Sequence, residues 1–131
     1  MKIAVGSDDQ KTIRKKHFGE SSHYIVFEIL NGEVVGREVR HNITAEEDES
    51  HHGKSGEVME LLNDCGLFIA RSMGKKSMRN ISQKGIECIL TSIENADEAV
   101  ERFLSGEEEP FQYFDEMKDA LISCAERRLT A

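Results

Sequence analysis

The dipeptide Asn31-Gly32 constrains the fold of this chain more than any other feature. It stands between two runs of strand formers. His23–Leu30 carries Tyr24, Ile25, Val26, Phe27 and Ile29, and Glu33–Arg40 carries Val34, Val35 and Val39. A two-residue connection that matches the twist of its strands needs positive φ at both central residues, which Asn and Gly accept at least cost. The spacing predicts an antiparallel hairpin. A lone hairpin is marginal in water, so it needs further strands or helices to bury a face.

Those partners are legible on both sides. Residues 2–7 (KIAVGS) read as a short buried strand that runs into Asp8-Asp9 and a loop over 8–22. A long polar connection, 42–54, follows the hairpin. From Ser55 onward, Val58, Leu61, Leu62 and Cys65 repeat at helical spacing. Gly66–Ala70 and Ile86–Leu90 read as buried strands. Between them a helix over 75–84 turns Met78 and Ile81 inward, and Gly85 suits its left-handed end. Asn95 with Glu98 forms a capping box for a helix striped by Ala96, Ala99, Val100, Phe103 and Leu104. Phe114, Met117, Leu121 and Cys124 predict a last helix over about 111–129.

This order predicts an α/β fold: a mixed five-stranded sheet with helices on its faces and strand 2 opposed to the other four. Strands 1, 3, 4 and 5 then end at one edge, gathering the loops 8–22, 42–54, 71–75 and 91–95. Ligands of open α/β sheets bind beyond the carboxyl ends of their strands. With 131 residues and no internal repeat, the whole chain, 1–131, is expected to be a single domain.

Charge and composition narrow the function. A net charge of −8 argues against wrapping bulk nucleic acid, because phosphate contacts need Lys and Arg. No apolar run approaches the roughly 18–20 residues of a membrane span. The opening segment reaches Asp8 too soon for a signal peptide, so a cytoplasmic location is expected. Cys65, Cys88 and Cys124 are odd in number and form no CxxC pair, which fits reduced, buried thiols. No nucleophile elbow, P-loop, dinucleotide fingerprint or HExxH motif is present, so a non-catalytic binding protein is expected rather than an enzyme.

Several residues could carry chemistry. His51-His52-Gly53-Lys54 pairs two imidazoles, good ligands for iron, zinc or copper, with a flexible glycine; the plain alternative is a solvated polar loop. His17 lies in the first loop among Lys11, Arg14, Lys15 and Lys16. Lys54, Arg71, Lys75 and Lys76 belong to the other loops of the same edge, so a basic rim would favour an anion, although Glu46–Glu49 oppose it. Met73-Gly74 opens a helix, where free N–H groups attract anions and a thioether could touch a soft metal; simple packing is the other reading. Asp8 and Asp9 could hold a divalent cation, but further acids on strands 4 and 5 are missing.

Taken together, MKIAVGSDD, HFGESSHYIVFEI, the Asn-Gly hairpin, SHHGKSGEV, DCGLFIARSMGKKS, KGIECILT and NADEAVERFLSGE carry a resemblance. From Met1 to about Gly106 the chain resembles the dinitrogenase iron–molybdenum cofactor biosynthesis family. The resemblance implies a three-layer α/β/α, ribonuclease H-like fold with strand order 3-2-1-4-5. It also implies binding or delivery of an iron–sulfur or iron–molybdenum-type cluster; the expected partner is a cofactor-assembly or acceptor protein, and the expected state a monomer or weak homodimer. Carried over position by position, His17, His51 and His52 would meet the metal, with Gly53, Lys54, Met73 and Gly74 around the cofactor. Arg71-Ser72 stands where many members have a glycine pair, and Arg71 would pair with a negatively charged cluster. Residues 107–131 lie past the resemblance and read as a helical extension that packs on the sheet or forms a dimer contact. The alternatives are a small-anion or nucleotide-binding module and a divalent-metal hydrolase using Asp8 and Asp9.

Overall fold

The computed structural model describes residues 1–42 and 55–130. In chain order the elements are β1 (Lys2–Ser7), β2 (His23–Leu30), β3 (Glu33–His41), α1 (Ser55–Leu61), β4 (Leu67–Ala70), α2 (Lys75–Ser82), β5 (Glu87–Thr91), α3 (Ala96–Leu104), β6 (Phe111–Asp115), β7 (Ala120–Ser123) and α4 (Cys124–Thr130), with a 3-10 turn at Phe18–Glu20. The strands form one mixed sheet in the order β3-β2-β1-β4-β5-β6-β7. Asn31 and Gly32 take φ of 53° and 78°, the positive pair that the hairpin requires. Strand β2 lies antiparallel to both β1 and β3, while β1, β4 and β5 are parallel.

The five-stranded expectation is corrected to seven strands, and the helix over 111–129 is corrected with it. Residues 111–123 form the hairpin β6–β7, which pairs antiparallel with β5 and extends the sheet. The helix that follows is confined to Cys124–Thr130. Phe114, Leu121 and Cys124 satisfy a helical spacing, but Phe111, Tyr113 and Phe114 are strand formers. The decisive local feature is a turn without Gly or Pro. The Asp115 carboxylate accepts hydrogen bonds from the Met117 and Lys118 amides, and Asp119 takes φ of 53°. Met117, expected in the core, sits at the tip of this turn and is 97% exposed. Arg127 of α4 stacks over Tyr113 at 4.2 Å and pairs with Glu87, which fastens the helix to β5 and β6.

Alternation along the strands feeds two cores. One joins Ile3, Val5, Ile25, Phe27, Ile69 and Ile89 to Ala96, Ala99 and Val100 of α3. The other joins Ala4, Tyr24, Val26 and Phe68 to Val58 and Leu62 near α1 and to Met78 and Ile81 of α2. Helices therefore cover both faces of the sheet. Asn95 caps α3 through its Oδ1, which accepts from the Glu98 amide at 2.8 Å. The loops after β1, β4 and β5 meet at one edge: the Ile13 amide donates to Glu94 O, the Ala96 amide to Lys11 O, and Ser72 Oγ to Lys15 O.

Candidate functional site

At that edge a cleft of about 890 Å³ opens between α1, α2 and the 3-10 turn. Its apolar floor consists of Phe18, Val58, Phe68 and Ile81; Met59 and Met73 also line it. Phe18 is stacked on Phe68 with ring centroids 4.9 Å apart. Ser21 Oγ and Tyr24 Oη both donate to Phe18 O, at 2.8 and 2.7 Å, and so pin the turn. Burial holds the Tyr24 phenol above its usual range, so it stays protonated and keeps donating. Gly6 of β1 makes this closure possible. A Cβ there would stand 2.2 Å from Ser21 Oγ and 3.2 Å from the Phe18 ring.

Polar groups ring the opening. His17 takes the left-handed conformation, with φ of 57°, and its side chain is 66% exposed. Its Nδ1 lies 3.5 Å from Glu20 Oε2, so the imidazole faces the cleft with a carboxylate at hand. Lys16, Lys76 and Lys84 supply positive charge, while Ser72, Ser77, Asn80 and Gln83 add hydrogen-bonding groups. Gly74 is the N-cap of α2 and provides no side-chain cap, which leaves the first amides of that helix at the cleft.

The site residues expected from the sequence divide into three groups. His17, Met73 and Gly74 come together in the cleft. Arg71 does not join them. It lines a second cleft of about 700 Å³ beside Glu108–Gln112 and Ser123–Ala125, and lies 3.7 Å from Glu94. His51, His52, Gly53 and Lys54 lie outside the described residues. Of the described basic residues expected at the rim, Lys16 and Lys76 reach the cleft. Arg14 is held by Asp8 at 2.6 Å, and Lys75 pairs with Asp119. Lys84 was missed, although Lys76, Asn80 and Lys84 follow an i, i+4, i+8 spacing that places them on one helical stripe.

The donor set limits what the cleft can hold. Among the described residues no three His, Cys, Asp or Glu side chains converge on a metal ion. The three cysteines are buried free thiols. Burial pushes Cys65 up to about 11 and Cys88 up to about 12, so neither is a ready thiolate ligand near neutral pH. Asp8 and Asp9 are occupied internally. Asp8 pairs with Arg14 and accepts from the Ser22 amide; Asp9 accepts from the Thr12 and Lys11 amides, which hold its carboxyl well below the usual range. Among the described residues, what remains is a cation-rimmed apolar cleft with one imidazole, that of His17. No helix among the described residues is long and apolar enough to cross a membrane.

Comparison with known proteins agrees with this frame. An uncharacterized protein of Methanocaldococcus jannaschii is 30% identical over 114 residues, covering 86% of this chain and 92% of that protein. The crystal structure of another protein of that organism, named as a candidate dinitrogenase, superposes with a TM-score of 0.61 at 20% identity, covering 95% of each chain. The apo orange protein of Desulfovibrio gigas superposes with a TM-score of 0.64 at 20% identity, covering 80% of this chain and 88% of that one. These two likenesses are of fold. A family model described as dinitrogenase iron-molybdenum cofactor matches residues 1–106, and the chain belongs to that family.

Proposed function

We propose that this protein binds and carries an iron–sulfur or iron–molybdenum-type cluster as cargo, without catalysing a reaction itself. The cluster passes from a cofactor-assembly protein to an acceptor protein. One observation carries the reading: the cleft at the carboxyl edge combines an apolar floor with Lys16, Lys76, Lys84 and the exposed His17. Such a cleft suits a bulky anion whose core is poorly hydrated, because low-dielectric walls strengthen attraction to the rim. The buried thiols argue against the usual Cys-held cluster, so the ligating role falls to imidazole. In this reading His17, His51 and His52 touch the metal. Gly53, Lys54, Met73 and Gly74 surround the cargo, and Arg71 contributes charge from the adjoining loop.

Anaerobic reconstitution with ferrous iron, molybdate and sulfide tests this. The wild-type protein is expected to acquire visible absorption and stoichiometric metal, and the His17→Ala/His51→Ala/His52→Ala variant to lose at least tenfold in uptake. A colourless, metal-free wild-type product would overturn the reading.

The basic rim and the open helix start also favour a second reading, a site for a phosphorylated metabolite or nucleotide. Its mark is a phosphate- or nucleotide-dependent rise in melting temperature that survives loss of all three histidines. The hydrolase alternative gains nothing from the structure, since Asp8 and Asp9 are committed to Arg14 and to backbone amides.

A further inference from the structure

A second pair of imidazoles lies outside the cleft. His23 opens β2 and His41 closes β3, and they are directly opposed in the hairpin register. Their rings stack with centroids 5.0 Å apart and planes 22° from parallel. Strand alternation puts His23 on the side of Ile25 and Phe27, the face covered by α3. The cleft floor, with Phe18 and Phe68, belongs to the other face. The two imidazoles are therefore separated from the cleft by the sheet itself.

Hydrogen bonding fixes how His23 presents its nitrogens. Ser22 Oγ lies 3.2 Å from Asp8 Oδ1 and 3.1 Å from His23 Nδ1. Asp8 is a carboxylate ion-paired with Arg14 at 2.6 Å, and it also accepts from the Ser22 amide at 3.0 Å. The single hydroxyl proton of Ser22 is thus drawn to Asp8, and Ser22 Oγ accepts from His23 Nδ1–H. That tautomer leaves the Nε2 lone pair for a ligand. A carboxylate acting through an intermediary to set the tautomer of an imidazole is the outer-shell arrangement that supports metal-binding histidines.

We infer that His23 and His41 form a two-imidazole site for a borderline transition-metal dication such as Zn²⁺, Ni²⁺ or Cu²⁺, with Ser22 and Asp8 as positioning residues. Two nitrogens each about 2.0–2.1 Å from one ion stand at most about 4.2 Å apart. The rings, stacked with centroids 5.0 Å apart and planes 22° from parallel, would have to tip toward each other for both in-plane lone pairs to meet one ion. Imidazole nitrogens select these metals over Mg²⁺ and Ca²⁺, which prefer oxygen. The ion would keep positions open to water or to a ligand from outside.

The test uses the full chain in a His17→Ala/His51→Ala/His52→Ala background, which removes every other histidine. Calorimetric titration with Zn²⁺ is expected to show one site per chain and a raised melting temperature, because the ion binds the folded state. Adding His23→Gln or His41→Gln should weaken binding at least tenfold. Ser22→Ala leaves both imidazoles in place and should weaken it about tenfold. Nitrogen-15 spectra should place the proton of His23 on Nδ1 and the metal on Nε2. Should a glutamine variant fail to fold, those spectra in the background protein decide alone. No Zn²⁺ binding in the background, unchanged affinity in both glutamine variants, or metal-free imidazole spectra at saturating Zn²⁺ would each overturn the site.

Discussion

The face covered by α3 and the face covered by α1 and α2 draw alternate residues from the same strands, yet they close differently. On the first, Ala96 and Ala99 are short enough for α3 to settle onto Ile3, Val5, Ile69 and Ile89, and all six of these and Val100 are fully buried. On the second, two shorter helices share the cover, and the space between them becomes the cleft with its cationic rim. Protein interiors are packed to crystal density. On the second face the join between the two helices leaves room, and the cleft opens there. The difference teaches that the site arises from how the helices share the sheet rather than from any special strand.

The largest effect should come from Phe68, which is at once core and cleft floor. Phe68→Ala is expected to cost about 3–5 kcal/mol by chemical denaturation and to abolish cluster uptake even in the protein that remains folded. Its neighbour Ile69 faces α3, so Ile69→Ala should cost about 2–5 kcal/mol while the folded fraction keeps its uptake. Equal uptake by the two variants, per folded molecule, would erase the distinction between the faces.

Gly6→Ala comes next. Its Cβ would collide with Ser21 Oγ and press on Phe18, forcing the 3-10 turn off the sheet. A loss of about 1–3 kcal/mol is expected, with amide shifts concentrated over residues 17–21. Removing the α3 cap sharpens the comparison from the other side. Asn95→Ala should lower stability by about 0.5–2 kcal/mol and leave uptake unchanged. Lys76→Ala/Lys84→Ala should shift stability by less than about 0.5 kcal/mol, yet weaken uptake severalfold and flatten its dependence on salt.

The smallest effect concerns pH. The Thr12 and Lys11 amides lower the carboxyl of Asp9 below the ordinary range in the folded state. Its contribution is therefore present above the ordinary Asp range and lost as pH falls through and below it. Melting curves of Asp9→Asn should lose part of the acid limb seen in the parent protein, and parallel acid limbs would remove Asp9 from the account.

The parts that the sequence made legible share a physical basis. The Asn31-Gly32 turn, the buried strands around Val5, Phe68 and Ile89, and the Asn95 cap each combine a local propensity with a matching tertiary environment. The stretch 111–123 was not legible in this way, because Phe114, Leu121 and Cys124 satisfy helical spacing while the turn between β6 and β7 is made by Asp115 and Asp119 instead of glycine. In the site, His17, Met73 and Gly74 were readable from their loops, but the side on which Arg71 emerges depends on how the β6–β7 hairpin packs beside it. Lys84 escaped because it sits past the end of α2, where helical spacing stops being a safe guide.

The grip of Arg79 on Asp119 has a consequence for the width of the cleft. Two hydrogen bonds, of 2.9 and 2.8 Å, fasten α2 to the turn between β6 and β7. That turn lies beyond the stretch matched by the family, which ends at residue 106, whereas α2 supplies one wall of the cleft. Loss of the appended hairpin is therefore expected to release α2 and change the width of the cleft while every residue lining it stays the same.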